Sequence, residues 1–408
     1  MINYNFKLLW IGKLISQLGD KFYAIALAWW ILQKTSSTVS MGLFMFASVV
    51  PGIVVGLFSG AISDRWNRKY IMVISDAVRG TLVLMISVLA YLDILRIWQV
   101  FVIGISLSVA GAFFDPSSQA MLPDIVRKED LSKANSMCQM VSGVCSTLGP
   151  MLGALTVSLL GTGFVFLMNS ISFFAAMILA GFLRYEAACR DTEGAQFHIF
   201  RDIGEGLRYI RMRKTLIKVL AVIGAAHFFV GSLSVVLPFL ANKLSGIGVN
   251  NLGLLEMLLG IGLLVGSVYR RLKKSSPGEE TTEKGLMRLI LFYGICFMGI
   301  SSAFYLRITI VAVYLPILFL IGAIIANAGV FWQLLLQANT PSDKMGRVSG
   351  IATLTGNASL PIAYGIAGIA LNYIGIALLM LISGLALILL SVLFLRKARL
   401  PVAAEIDS

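Results

Sequence analysis

Twelve apolar stretches of about 20 residues follow one another along this chain, and they constrain its fold more than any other feature. They lie near residues 8–33, 40–62, 70–91, 98–120, 135–160, 164–183, 219–241, 250–269, 289–306, 309–335, 348–372 and 374–395. A helix of about 20 apolar residues is long enough to cross the roughly 30 Å hydrocarbon core of a bilayer. The 408-residue chain is only 13% charged, whereas soluble domains carry about 25% charged residues. The sequence therefore predicts an all-α membrane protein with twelve transmembrane helices and excludes a soluble fold.

The Lys and Arg residues indicate how the chain crosses the membrane. The net charge is +13, but the positive residues stand between the apolar stretches and not on one face of a folded domain, so nucleic acid is excluded as a partner. If alternate loops lie on the same side, 26 of the 33 Lys and Arg fall on the side of the N-terminus. The positive-inside rule then predicts that both termini lie in the cytoplasm. We expect a multi-pass protein of a cell membrane, bacterial in origin.

The two halves of the chain repeat the same landmarks in the same order. Gln119 to Pro123 recurs as Gln337 to Pro341, Gly60 to Arg65 is echoed by Gly266 to Arg271, and Pro150 has a counterpart in Pro361. The longest gap between apolar stretches separates six of them from the other six. We therefore expect two parallel six-helix halves, residues 1–184 and 219–408. The linker between them, residues 185–218, is predicted to be cytoplasmic and to contain an amphipathic helix on the inner membrane surface.

A charged loop follows the second apolar stretch. It reads Gly60-Ala-Ile-Ser-Asp64-Arg65-Trp-Asn-Arg68-Lys69, which resembles motif A of the major facilitator superfamily, G-x-x-x-D-R-x-x-R-R/K. Asp64 near the end of its helix opposes the helix dipole, so we expect Arg68 and the N-terminus of a helix from the other half to neutralise it. Such a contact exists in only one of two domain arrangements, which predicts a conformational latch. The set is Gly60, Asp64, Arg65 and Arg68, with Asp76 as a brace; the alternative is a cluster that only anchors the loop on the inner side.

The fifth stretch carries a second motif. Cys145-x-x-x-Gly149-Pro150-x-x-Gly153-Ala154 is similar to the antiporter motif of the same superfamily, G-x-x-x-G-P-x-x-G-G, with Cys145 and Ala154 as departures. Small residues allow two helices to approach closely, and proline bends a helix. Gly149, Pro150 and Gly153 are therefore predicted to form a kinked helix seam against the other half, either for tight packing or for antiport. The superfamily pattern favours export.

Three further segments narrow the resemblance. Ser16-Gln-Leu-Gly-Asp20, Ala112-Phe-Phe-Asp-Pro116 and Met345-Gly346-Arg347-Val348 look like the drug-exporter branch that contains macrolide efflux proteins and siderophore exporters. The resemblance covers essentially the whole chain. The fourth stretch lacks the Arg that many other drug/proton antiporters carry there, so their proton-transfer roles are not carried over.

Charged residues inside apolar stretches are costly and therefore indicate function. Asp20, Arg79 and Glu256 are the predicted proton-coupling residues. Asp20 is either the proton carrier or a permanently paired structural acid, and Glu256 is either a second proton site or part of a structural hydrogen bond. Arg79 needs a buried acid as its partner, and Asp20 matches it in depth, with Asp76 one turn away.

Other polar residues inside the stretches are candidates for a substrate cavity. These are Gln17, Lys21, Asn327, Gln333 and Asn357, of which the last three either line the cavity or join helices. Asp115 precedes Pro116, a pair that predicts an N-cap and the start of a helix, with a role in transport as the alternative.

The sequence predicts a secondary active transporter that exports an amphipathic small molecule, drug-like, macrolide-like or siderophore-like, by proton antiport with alternating access. Proton-coupled uptake and lipid flipping are the alternatives within the same fold. No G-x-x-x-x-G-K-[ST] pattern indicates ATP binding, and no nucleophile, base and orienting acid occur together, so an enzyme is not expected. The expected partners are the small-molecule substrate, protons and the lipid bilayer. We expect a monomer without cofactor or metal.

Overall fold

The computed structural model describes residues 3–185, 204, 207–272 and 283–397, and this part of the chain is helical without β-strands. The predicted all-α class is confirmed. Ten long helices occur in the described part: α1 (Tyr4–Thr35), α2 (Thr38–Arg65), α3 (Arg68–Tyr91), α4 (Ile97–Ile125), α5 (Leu131–Gly181), α6 (Lys214–Lys243), α7 (Gly248–Leu272), α8 (Glu283–Tyr305), α9 (Val311–Ala338) and α10 (Ser342–Lys397).

Nine of these described helices, α2 to α10, are long and apolar enough to cross a membrane. Helix α1 has 32 residues but carries Asp20 and Lys21 in its middle. Helices α5 and α10, with 51 and 56 residues, are longer than a single crossing requires. Each is broken once, at Gly161 (φ 80°, ψ 166°) and Gly375 (φ 73°, ψ 175°), a backbone conformation that glycine adopts without steric cost. The break at Gly161 falls between the predicted stretches 135–160 and 164–183.

Helix packing recurs with an offset of five helices. In the first part of the chain, α1 packs on α5, α2 on α4, and α3 on both α4 and α5. In the second part, α8 packs on α9 and α10. Gly224 and Gly231 place α6 against α10, while Gly262 and Gly266 place α7 against α9. The same pairings occur twice, in agreement with the repeated landmarks in the sequence.

The described residues divide into two compact units. The first unit contains α1 to α5 together with Ala241–Met257, which is the end of α6 and the beginning of α7; the second contains the remaining described helices. Most of the predicted linker, residues 186–203, 205 and 206, lies outside the described residues. The boundaries at 184 and 218 and the amphipathic helix stay predictions.

Candidate functional site

Polar side chains form one stripe along α1. Lys13, Gln17, Asp20 and Lys21 are all half-buried, and their spacing of three or four residues places them on one face of the helix. Gln17 accepts a hydrogen bond from the Ser142 hydroxyl of α5 at 3.1 Å. The predicted cavity residues Gln17 and Lys21 therefore share a face with the predicted proton carrier.

Arg79 on α3 lies at the centre of a group of charges. Its side chain is buried, and its guanidinium lies 4.3 Å from the ring centroid of Phe173 and 4.8 Å from that of Phe114. Its Nη1 is 3.8 Å from Oδ1 of Asp76, and its charge also interacts with Asp20. Two aromatic faces and a buried carboxylate thus position the guanidinium, a geometry that suits arginine and not lysine.

Asp115 does not begin a helix, so the prediction that it caps one is wrong. Helix α4 continues through it from Ile97 to Ile125 with Pro116 in its interior. Membrane helices tolerate proline because side chains and neighbouring helices satisfy the freed backbone groups. Next to this proline, the Ser117 hydroxyl donates to the Phe113 carbonyl oxygen at 2.8 Å.

Asp115 instead joins the charges around Arg79. It is an exposed acid in the interior of an apolar helix, and it interacts electrostatically with Lys13, Arg79 and Asp20. We refer to Lys13, Asp20, Asp76, Arg79 and Asp115 as the central charge cluster. Among the described residues, no three His, Cys, Asp or Glu side chains are placed to hold a metal ion.

Asp20 also faces two polar groups that the sequence did not single out. Asn169 of α5 is fully buried, and its side chain interacts with Asp20. The Tyr23 hydroxyl, one turn along α1, has no hydrogen-bond partner among the described residues, and the charge of Asp20 acts on it. The Tyr23 ring packs on Phe166 with centroids 5.5 Å apart. A polar residue in the apolar stretch 164–183 was the only sequence feature that could have indicated Asn169.

The glycines of the predicted helix seam face α1. A Cβ at Gly149 would lie 2.6 Å from Cβ of Lys21, and one at Gly153 would lie 2.9 Å from Cα of Phe22. Residues four apart share a face, so Gly149 and Gly153 belong to the face of α5 that packs on α1 and not to a seam against the other half. Pro150 and Ala154 of the same motif do meet the predicted second half: a Cβ at Gly253 of α7 would lie 2.9 Å from the Pro150 carbonyl oxygen and 2.5 Å from Cβ of Ala154.

Glu256 lies one turn beyond Gly253, in the part of α7 that belongs to the first unit. It is half-buried, and the charge that acts on it is that of Lys21. The first carbon of the Lys21 side chain packs against Gly149. The absence of a side chain at Gly149 therefore leaves room for the lysine whose charge acts on Glu256. A role of Glu256 in proton coupling stays a prediction.

We expect Gly149→Ala to destabilise the protein by about 1–3 kcal/mol, because the added methyl group meets the Lys21 Cβ, which cannot rotate away. The matched control is Gly111→Ala in α4, where a Cβ would meet no atom within 4 Å. Alanine is a better helix former than glycine, so the control is expected to be neutral or stabilising by about 0.5–1 kcal/mol. Thermal unfolding in detergent measures both, and equal midpoints for the two variants would contradict the seam.

The three cavity candidates of the second unit differ in their surroundings. Asn327 donates its Nδ2 amide to the Ala323 carbonyl oxygen at 2.8 Å and to that of Gly266 at 3.3 Å, which joins α9 to α7. Gln333 and Asn357 are exposed. Asn327 therefore connects helices, while the substrate contact proposed for all three stays a prediction.

The sequence profile identifies the family, and a solved structure shows the same fold. The profile described as Major Facilitator Superfamily matches residues 9–364. The chain belongs to the major facilitator superfamily. The solved structure of the nucleoside transporter NupG has the same fold, with a TM-score of 0.77 at 9% identity, and the alignment covers 96% of this chain and 99% of NupG. The family match and the transporter relatives show that the chain is a transporter and not an enzyme.

Its curated relatives include efflux proteins. The multidrug efflux pump Tap of Mycolicibacterium fortuitum is 24% identical over 403 residues, or 96% of this chain and 95% of Tap. Macrolide efflux protein A of Streptococcus pyogenes is 23% identical over 225 residues, 55% of each protein. The staphyloferrin A transporter of Staphylococcus aureus is 20% identical over 396 residues, 95% of this chain and 93% of that protein. The predicted likeness to macrolide efflux and siderophore export proteins is confirmed.

The superfamily's motif A, residues 60–69, covers the end of α2 and the beginning of α3. The side chains of its residues Gly60, Asp64 and Arg65 lie outside the described residues. Arg68 is described: it is buried, and its Nη1 donates to Asp124 Oδ2 at 2.6 Å and to the Ala120 carbonyl oxygen at 2.8 Å. Asp124, at the end of α4, is a partner that the sequence did not indicate.

Tyr185 extends this inner-side network of the facilitator. Its hydroxyl donates to Asp124 Oδ2 at 2.9 Å, so one carboxylate oxygen serves both Tyr185 and Arg68. Partial burial, and then the hydrogen bond to Asp124, raise the pKa of Tyr185, so that the phenol stays protonated and donating. The first residue of α3 is in this way tied to the end of α4 and to the segment after α5.

Proposed function

We propose that this chain is a twelve-helix secondary active transporter of the cell membrane, a monomer with both termini in the cytoplasm, that exports an amphipathic small molecule by proton antiport. The observation that carries the proposal is the central charge cluster, because ionisable groups inside membrane helices serve transport far more often than stability. The glycine breaks in α5 and α10 support a count of twelve, since each divides one long helix into two segments. The word efflux in the names of two relatives, Tap and macrolide efflux protein A, supports export.

The charges inside the helices do not balance. Among the described helices, the charged side chains at least eight residues from either helix end are four acids and three bases: Asp20, Asp76, Asp115 and Glu256 against Lys13, Lys21 and Arg79. With all of them ionised this set carries one net negative charge, which is costly in a low-dielectric surrounding. One proton restores balance. This count favours a transporter that takes up and releases a proton in each cycle.

Everted membrane vesicles test this function. Cells expressing the chain provide vesicles that are acidified inside, and accumulation is measured for a macrolide, a carboxylate siderophore and a cationic dye. We expect uphill accumulation of at least one compound that collapses when a protonophore removes the gradient. Vesicles from the same cells without the expressed protein are the control. Compound entry into right-side-out vesicles driven by inward proton flow would indicate uptake, and lipid movement between leaflets of liposomes would indicate a flippase; either result would overturn the export proposal.

Alternating access requires a contact that exists in one arrangement only, and we propose motif A for it. Asp64 stands at the C-terminal end of α2, where a negative charge opposes the helix dipole. The ion pair with Asp124 holds the Arg68 side chain in place, so Arg68 is a fixed positive charge in the motif. The proposed latch consists of Gly60, Asp64, Arg65 and Arg68, with Asp76 as its brace on α3.

We expect Asp64→Asn to shift the population toward the inward-open state by about 1–3 kcal/mol, because the amide removes the charge that closes the latch. Spin labels are placed at Lys128, which follows α4, and at Gln337, near the end of α9; both residues are exposed. The distance between the two labels reports opening on the inner side. The control is Glu129→Gln, an exposed acid beside the first label. An unchanged distance distribution in Asp64→Asn would leave motif A as a topological anchor.

A further inference from the structure

Asn169 is a buried polar residue that no motif explains. Its side chain is fully buried in α5. The Ser172 hydroxyl donates a shared hydrogen bond to the Asn169 carbonyl oxygen (2.7 Å) and to its Oδ1 (3.0 Å). The Nδ2 amide makes no hydrogen bond of ordinary geometry among the described residues, and the acceptor it interacts with is the Asp20 carboxylate. A buried amide that makes no ordinary hydrogen bond costs stability, so its placement beside Asp20 points to a role.

The packing of α1 on α5 accounts for this placement. Gly19, the neighbour of Asp20, lies so close to α5 that an added Cβ would stand 2.5 Å from Oδ1 of Asn169 and would also meet the Ser172 hydroxyl. One turn further along, the Tyr23 ring contacts Phe166 of α5. The two helices therefore hold Asn169 at the level of Asp20.

The effect of Asn169 on Asp20 depends on which end of its amide faces the carboxylate. An Nδ2 group donates and cannot accept, so it stabilises an ionised carboxylate and offers nothing to the O–H of a protonated one. The Ser172 hydroxyl donates to Oδ1, the acceptor end of the same amide. The asparagine therefore distinguishes the two protonation states of its neighbour.

We infer that Asn169 is the positioning residue for Asp20, with Ser172 fixing the amide so that its donor faces the carboxylate. This inference rests on the proposed function, in which Asp20 carries the exchanged proton. In the ionised state the amide fixes the carboxylate at one position. On protonation this contact weakens, and Asp20 becomes free to leave the position it held beside Arg79.

Other groups face Asp20 and contribute to its titration. They are Lys21 and Tyr23 on α1, Asp76 and Arg79 on α3, Asp115 on α4 and Cys145 on α5. All of these side chains are still present in the Asn169 variants, so a change in the pH profile reports the loss of the amide.

The test is the pH dependence of substrate efflux in vesicles from Asn169→Leu, Asn169→Ser and the wild-type protein. A hydrogen bond to a charged group that is lost in Asn169→Leu is expected to move the pH of half-maximal transport by about one unit toward alkaline values. Asn169→Ser keeps a small donor and is expected to move it by less. Ser172→Ala frees the amide and is expected to give an intermediate shift.

Asn251→Leu is the matched control. Asn251 is also buried, but its Nδ2 donates to the carbonyl oxygens of Ser245 (3.1 Å) and Ala241 (3.3 Å) at the start of α7. Its loss is expected to lower the thermal midpoint without moving the pH profile. If Asn169→Leu does not fold, Asn169→Ser and Ser172→Ala carry the test.

The outcomes separate the inference from the proposed function. Unchanged pH profiles in all Asn169 and Ser172 variants, in a protein whose transport depends on Asp20, would overturn only the positioning role. Transport that is independent of Asp20 would overturn the proposed function as well.

Discussion

Replacement of Asp20 by Asn is expected to abolish uphill, pH-driven export while substrate binding stays measurable. The amide keeps the size and polarity of the side chain but cannot carry a proton, so the step that couples export to the gradient is lost. Asp20 is suited to this role by its surroundings. It is half-buried in α1, and Arg79, Lys21 and Asp115 act on it electrostatically.

The measurement compares uphill accumulation with binding in the same preparation. Everted vesicles give the accumulation, and quenching of intrinsic tryptophan fluorescence by the substrate gives the binding. Accumulation in Asp20→Asn vesicles at the wild-type level would remove this residue from the mechanism. Glu256→Gln is the parallel variant, and the interaction of Glu256 with Lys21 predicts a smaller loss for it.

Asp93→Asn is the control for charge removal. Asp93 is an exposed acid between α3 and α4, and the Lys34 ammonium donates to its Oδ1 at 2.8 Å. This hydrogen bond, and then the positive charge itself, hold the pKa of Asp93 below its ordinary value. A lowered pKa means that any stability from the pair is present above the ordinary pKa of Asp and lost in more acidic solution. Near neutral pH the group does not titrate, so Asp93→Asn is expected to transport normally.

Hydropathy defined the helices well but located their ends less well. The predicted stretch 70–91 lies within α3, which begins at Arg68, because Asn67 caps the helix with its side chain. The stretch 98–120 underestimates α4, which continues to Ile125 through polar residues and two prolines. Hydropathy ends a stretch where polar residues begin, whereas backbone hydrogen bonding continues the helix into the interface. The pair Asp115-Pro116 predicts a cap because the N-cap preference depends only on adjacent residues. The helix α4 continues through this pair because contacts with neighbouring helices stabilise it.

The candidate site was only partly visible in the sequence. Asp20 and Arg79 stood out because charges interrupt apolar stretches. Their neighbours Asn169 and Phe173 did not, since their relevance depends on α5 packing along α1 and α3, and that pairing brings together residues about 150 and 90 positions apart. The partner of Arg68 was missed similarly, because Asp124 lies on α4, more than 50 residues further along the chain.

Arg79 decides whether the central charge cluster acts as a relay or as a fixed structure. Arg79→Gln removes the only base within 4 Å of Asp76 among the ion pairs of the described residues. It leaves the buried Asp76 carboxylate without its ion-pair partner, and a broken buried pair typically costs about 3–5 kcal/mol. Arg79→Lys keeps the charge but loses the stacking on Phe114 and Phe173, so it is expected to recover only part of the stability. Arg96→Gln, at an exposed arginine that precedes α4, is the control and is expected to behave as wild type.

Two double-mutant cycles separate the partners of Arg79. The first combines Arg79→Gln with Asp20→Asn, and the second combines it with Asp76→Asn. Both are scored by downhill substrate exchange, since uphill transport is lost in Asp20→Asn, and by thermal unfolding. Residues in contact typically show coupling of about 0.5–3 kcal/mol. In a relay, protonation of Asp20 releases Arg79 to engage Asp76, so coupling with Asp20 appears in exchange and coupling with Asp76 appears in stability. Additive effects of the first pair on exchange would leave Arg79 as a fixed partner of Asp76, with Asp20 carrying the proton alone.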